Sequence, residues 1–133
     1  MNNAGRHVLA DIHLADYPGD DTIMSRCESA IAASGMNIVA ATFKRFDPAG
    51  LTAVWILSES HFTVHTYPEH RYISVDCYTC GDEGDPHAAV QSLCGSLNVH
   101  HASVRQVARG AAPTVSRQQC DPASNDVSRH VTP

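Results

Sequence analysis

Between Met36 and Tyr78 the chain passes through a series of short runs rich in β-branched, apolar and aromatic residues, each ended by turn-forming residues. Met36 to Phe46 reads as a strand, Asp47-Pro48-Ala49-Gly50 as a turn, and Leu51 to Leu57 as the returning strand, so residues 36–57 make a hairpin. Phe62 to Thr66 is a short strand stopped by Pro68. Tyr72 to Tyr78 alternates Tyr72, Ser74 and Asp76 with Ile73, Val75 and Cys77, the period-two pattern of a strand with one buried face. A sheet of this kind has to cover that face, and the flanks of the block supply the cover.

Upstream, Arg6 to Leu14 reads as a strand, with Tyr17-Pro18-Gly19-Asp20 as its exit loop. From about Asp21 to Ser34, the residues Ile23, Cys27, Ala30 and Ile31 fall at i, i+4, i+7 and i+8, one apolar stripe of a helix that Gly35 terminates. Downstream, Asp85-Pro86 opens a second helix, since Asp caps well and Pro suits the first helical position. Its stripe is Val90, Leu93, Cys94 and Leu97, and a last strand lies within Ala102 to Ala108. This order implies an α+β two-layer sandwich, a mainly antiparallel sheet with helices packed on one face.

A chain of 133 residues suits one domain. That domain occupies residues 1–110. From Ala111 to Pro133 the composition shifts to Ala, Pro, Ser, Thr, Gln and Asn, and this stretch is expected to be a disordered tail. The longest apolar run near the middle, Ala53-Val54-Trp55-Ile56-Leu57, is far short of the roughly 20 residues that span a bilayer. No membrane association is expected. Nine basic residues against fourteen acidic ones give a formal charge of −5, without the basic stripe of a nucleic-acid binder. Lys44 is the only lysine, which leaves a pyridoxal-phosphate enzyme one candidate for its Schiff base. Five cysteines, an odd number, behind a polar Met1-to-His7 start without an apolar signal segment point to free thiols in the cytoplasm.

Reactive side chains concentrate in Ser58-Glu59-Ser60-His61-Phe62-Thr63-Val64-His65-Thr66-Tyr67-Pro68-Glu69-His70. Strand alternation sends His61, Thr63 and His65 to one face and Phe62 and Val64 to the other. One reading is a polar strand face with a solvated loop; the other gathers a hydroxyl, an imidazole and carboxylates at one sheet edge. Cys77-Tyr78-Thr79-Cys80 invites a zinc or redox reading, with His61 and His65 as further ligands. The same alternation, however, sends Cys77 and Cys80 to opposite faces. Cys77 therefore reads as a core residue and Cys80 as the exposed thiol, and no metal is expected.

Taken together, Glu59-Ser60-His61, His65-Thr66-Tyr67-Pro68-Glu69 and Thr79-Cys80-Gly81 resemble the small bacterial S-adenosylmethionine decarboxylases, which are pyruvoyl-dependent. The likeness runs from about Gly5 to Gly110 and includes the Phe43 to Gly50 segment. It implies self-cleavage between Glu59 and Ser60, leaving a pyruvoyl group derived from Ser60 as the cofactor that forms a Schiff base with the substrate. It further implies that His65 moves a proton during processing, a task suited to an imidazole, and that Cys80 protonates the product carbanion. Phe46 matches the residue that stacks on adenine, Glu69 the carboxylate that binds the ribose, and Thr52 a position where the family carries Ser. Thr keeps the hydroxyl but stiffens χ1. Tyr67 stands where Trp is common.

The activity so implied is conversion of S-adenosylmethionine to its decarboxylated form for spermidine synthesis, by a cytoplasmic homodimer of cleaved protomers. Two alternatives stay open at this point. One is a related pyruvoyl decarboxylase acting on ornithine or arginine. The other is a non-catalytic zinc-binding or interaction domain using Cys77, Cys80, His61 and His65.

Overall fold

The computed structural model describes residues 5–80 and 84–110. These form strand β1 (Gly5–Leu14), helix α1 (Asp20–Ala33), strands β2 (Ile38–Arg45), β3 (Leu51–Leu57), β4 (Ser60–Tyr67) and β5 (Tyr72–Cys80), helix α2 (Pro86–Gly95) and strand β6 (Val99–Arg109). The strands make one six-stranded sheet in the order β2-β3-β4-β5-β1-β6, antiparallel at every joint. The helices pack on each other; α2 lies against β1 and β5 and α1 against β4, which leaves the other sheet face uncovered by the described residues. This is the α+β two-layer sandwich expected. Residues 111–133, expected to be a tail, lie outside the described residues.

The core follows from the two periodicities. Val8, Ala10, Ile12 and Leu14 from β1, Leu51, Ala53, Trp55 and Leu57 from β3, and Ile73, Val75 and Cys77 from β5 are all buried. They meet Ile23, Cys27, Ala30 and Ile31 of α1, the stripe expected, and Ala89, Val90 and Leu93 of α2. Burying one side chain the size of Ile12 or Phe62 contributes roughly 1.5–3 kcal/mol. Trp55 meets Phe62 edge-on at 5.8 Å and donates its indole N–H to Glu28 at 3.1 Å.

The helix ends are fixed by backbone chemistry. At the end of α1, Gly35 takes φ 84°, and Met36 N bonds back to Ile31 O at 3.3 Å while Gly35 N bonds to Ala32 O at 3.1 Å, a Schellman motif. Asp85 caps α2 by accepting from His87 N at 3.0 Å, with Pro86 in the first turn.

Strand bounds differ from those expected in several places, and β5 runs on to Cys80, past the expected Tyr78. β2 is shorter, because Met36 closes the helix and Phe46 N closes the turn on Gly50 O at 2.9 Å. β6 starts at Val99 and not Ala102, and β4 starts at Ser60 and not Phe62. The last difference bears on function. Leu57 pairs with Ser60, so Ser58 and Glu59 alone form the β3–β4 turn.

Candidate active site

The Glu59–Ser60 peptide bond sits where the β3–β4 turn enters β4. The Glu59 carbonyl oxygen accepts two hydrogen bonds from one residue across the sheet, the Cys80 thiol at 2.9 Å and the Cys80 backbone N–H at 3.4 Å. The second bond shows that Ser60 and Thr79, which are register partners, form a non-hydrogen-bonded pair, the closer-spaced kind in antiparallel sheet. Thr79 is 1% exposed, and its hydroxyl has no hydrogen-bond partner among the described residues. Cys80 is half-buried at the end of β5 on the uncovered face, whereas Cys77 is fully buried beneath the helices. Burial and then the Asp76 charge push the Cys77 thiol up to about 12.

At the other end of β4, His65 lies opposite Thr52, whose hydroxyl is 3.0 Å from His65 Nδ1. Both line a cavity of about 280 Å³ together with Phe46, Gly50, Tyr67 and Glu69. Phe46 is 50% exposed, so its ring is available to a flat ligand and does not belong to the core. Glu69 is exposed on the 3-10 turn Pro68–His70. The cavity is braced from below by Asp20, at the start of α1. Its carboxylate accepts from Gly50 N at 3.2 Å, from Thr66 Oγ1 at 2.9 Å and from the Tyr17 hydroxyl. Burial, reinforced by this bond to Asp20, holds the Tyr17 phenol well above its usual ionisation range. Gly50 reaches this position with φ 113°, which a side chain would resist. Nothing in the spacing of Asp20 marks it in the sequence; an acidic residue there reads as an ordinary helix start.

The motif residues thus fall into two groups. Ser60, Glu59 and Cys80 meet at one end of β4, and Thr52, His65, Phe46 and Glu69 meet at the other. Ser60 and His65 share a strand but are an odd number of residues apart, so they face opposite sides of the sheet. At about 3.3 Å per residue they are also roughly 16 Å apart. The reading that gathers this hydroxyl and imidazole at one sheet edge is therefore not met within the chain.

A third group lies on the uncovered face. Asp76 accepts from Thr63 Oγ1 at 2.7 Å and lies 3.1 Å from His61 Nε2 and 3.4 Å from His7 Nε2. Two imidazoles and a carboxylate this close resemble a metal triad. Arg109 Nη1, however, is 3.0 Å from His7 Nδ1 and can only donate. His7 Nδ1 therefore accepts and its Nε2–H is left to donate to Asp76, so the cluster is satisfied as a hydrogen-bond network. The zinc alternative fails as well, because Cys77 and Cys80 face opposite sides of the sheet and cannot converge with His61 and His65 on one ion.

Comparison with known proteins identifies the family. Residues 6–110 match the family model described as S-adenosylmethionine decarboxylase. A protein of Oceanobacillus iheyensis named S-adenosylmethionine decarboxylase proenzyme is 36% identical over 116 residues, 85% of this chain and 92% of its own length. One of the same name from Clostridium tetani is 40% identical over 114 residues, 83% of this chain and 90% of its own. The crystal structure of the adenosylmethionine decarboxylase from Aquifex aeolicus superposes with a TM-score of 0.75 at 29% identity, covering 89% of this chain and all of that one. With a family match across the whole described sheet and relatives alike over nearly their full lengths, the chain belongs to the S-adenosylmethionine decarboxylase family.

Proposed function

We propose that the chain is a proenzyme that cuts itself between Glu59 and Ser60 and then decarboxylates S-adenosylmethionine. The Cys80–Glu59 contact carries this reading. Self-cleavage begins when Ser60 Oγ attacks the Glu59 carbonyl carbon. The peptide C–N bond breaks, the hydroxyl proton passes to the departing nitrogen, and an ester is left. Two donors already directed at the Glu59 oxygen stabilise the negative charge that develops there, as preorganised donors do at other acyl-transfer centres. Loss of the Ser60 Cα proton with cleavage of Cβ–Oγ releases residues 1–59 with a Glu59 carboxylate. Water then displaces ammonia at residue 60.

The resulting pyruvoyl group would supply an electrophilic carbonyl that takes the substrate amine and accepts the electrons freed as carbon dioxide leaves. The residues present fit such a group, since Cys80 directs its S–H at the Glu59 carbonyl beside residue 60 and is half-open to solvent. Phe46 offers its ring face to adenine, and Glu69 offers a carboxylate to the ribose hydroxyls. An aromatic face beside a ribose-binding carboxylate favours S-adenosylmethionine over ornithine or arginine.

Thr52 and His65 reach residue 60 when the cavity of a second copy meets the Ser60–Cys80 end of the first. A two-fold operator then completes two identical sites. The uncovered sheet face, where Ile56 and Val107 stand exposed, offers the surface for this homodimer. Among the described residues no helix is long and apolar enough to cross a membrane, and the free thiols Cys27, Cys77, Cys80 and Cys94 suit a reducing cytoplasm. The product is an aminopropyl donor of the kind spermidine synthesis consumes.

Intact mass spectrometry with a carbon dioxide release assay tests the reading. Two chains are expected, residues 1–59 and a second starting at position 60 that is lighter by one ammonia than its serine-headed form. Ser60→Ala should leave one uncut chain. A single chain in the wild type, or carbon dioxide released from ornithine or arginine but not from S-adenosylmethionine, would overturn it.

A further inference from the structure

Thr79 is the anomaly of this sheet. It lies on the helix-covered side, 1% exposed, and its hydroxyl is the buried side-chain polar atom that goes without a partner among the described residues. Folded proteins rarely leave such a group unpaired, and each exception calls for a reason. A valine there would fill the same volume at no polar cost. The neighbour on one side, Arg6 of β1, is engaged elsewhere, with Nη2 bonded to Gly84 O at 3.0 Å. The neighbour on the other side is Ser60.

From this geometry we propose that the Thr79 hydroxyl holds Ser60 Oγ during self-cleavage. The inference rests on the self-cleavage reading and adds a residue to it. In a non-hydrogen-bonded antiparallel pair the facing Cβ atoms lie about 4.5–5.5 Å apart, within range for two hydroxyls to bond across the strands. The two are unbonded in the conformer described. Ser60 is unbranched and partly exposed, so it can change χ1 among three staggered wells, whereas Thr79 is buried and β-branched and stays put. One such rotation brings Ser60 Oγ to Thr79 Oγ1.

Consecutive residues of β5 then hold the two reacting atoms: Thr79 the attacking oxygen, Cys80 the carbonyl oxygen of Glu59. A hydroxyl is both donor and acceptor. Thr79 accepts the Ser60 O–H before attack and donates to the same oxygen when the Cβ–Oγ bond breaks and that oxygen leaves in the Glu59 carboxylate. Its own proton count is unchanged throughout. It positions the nucleophile and eases departure, and it has no part in binding S-adenosylmethionine.

The experiment follows cleavage of freshly translated full-length chain over time, by gel and mass, in wild type, Thr79→Val and Thr79→Ser. Thr79→Val should slow cleavage by about tenfold, the effect of one hydrogen bond made in the transition state. It should not lower the melting temperature, since it removes an unpaired buried hydroxyl. Thr79→Ser restores the hydroxyl and should cleave within about threefold of wild type. If Thr79→Val packs poorly, Thr79→Ala against Thr79→Ser makes the same comparison without the branch. Decarboxylation per cleaved chain should keep its wild-type KM in every variant. Equal cleavage rates with and without the hydroxyl overturn this inference alone, whereas a wild-type chain that never cleaves removes the self-cleavage reading and this inference with it.

Discussion

Cys77 and Cys80 occupy one strand three positions apart and meet opposite environments. Cys77 lies under the helices, where no charge is easily carried, and its thiol is pushed up to about 12. Cys80 lies on the other face, with its S–H directed at the Glu59 carbonyl. The first thiol serves packing and the second meets the Glu59–Ser60 peptide, although both are the same residue type in one short motif. The burial of Cys77 has a pH consequence. Its ionisation in the unfolded chain begins near the ordinary thiol value of 9.0, while the folded chain keeps the proton up to about 12. Between these values the native state binds more protons than the unfolded one, so stability falls as pH rises through that window, by up to about 1.4 kcal/mol per pH unit for one thiol. Cys27, also raised by burial, acts in the same direction. Urea unfolding at a series of pH values above 9 should show this decline, and Cys77→Ala should make it shallower while lowering stability below pH 9 through the cavity it leaves. A slope unchanged by Cys77→Ala would mean that the buried thiol is not its source.

Among the elements, the start of α1 matters to the cavity as much as to the helix. Asp20 holds Gly50 N–H and Thr66 Oγ1 together, and these belong to the turn before β3 and the end of β4. Asp20→Ala would leave both donors without this acceptor, which costs about 1–3 kcal/mol where the groups are buried. It would also free the loop that presents Phe46. The expected outcome is a lowered melting temperature and a KM for S-adenosylmethionine raised more than kcat is reduced, read by steady-state assay with calorimetry. An unchanged KM would show that the loop keeps its place without Asp20. How legible each element is from sequence follows from how many of its faces are buried. The stripe Ile23, Cys27, Ala30, Ile31 and the alternation of Tyr72 to Tyr78 could be read because one face of each element is buried and the other is not. β2, exposed at every residue, carries no such contrast, so its ends blurred. The β3–β4 turn was hidden because neither Ser58 nor Glu59 is a Gly or Asn, the residues that usually mark a two-residue hairpin loop. In the site, residue types were legible from the motif, and even the separation of Ser60 from His65 is implied by their odd spacing. The Thr79 orphan was not, since only the folded register shows that no neighbour among the described residues satisfies it.

At the scale of the molecule, the two motif groups at opposite ends of β4 impose an arithmetic on the proposed assembly. Were each site built within one protomer, a chain lacking Ser60 and a chain lacking His65 would both be dead and no mixture would recover activity. Sites shared across a two-fold interface behave otherwise. A dimer of one Ser60→Ala chain and one His65→Ala chain places the intact Ser60 of the second against the intact His65 of the first, while its other site carries both lesions. Equal co-expression with random pairing makes about half the dimers hybrid, each with one intact site of two, so about a quarter of wild-type activity should return. Each variant alone should stay inactive. Differential tags allow the hybrid to be isolated, in which case activity per dimer should approach half that of wild type. Cleavage adds an independent readout, because in the hybrid only the His65→Ala chain has a Ser60 to convert, and mass spectrometry should find the new terminus on that chain alone. A hybrid without activity and without cleavage would place each complete site within a single chain, and β4 would then have to bend or slip in register to bring Ser60 and His65 together.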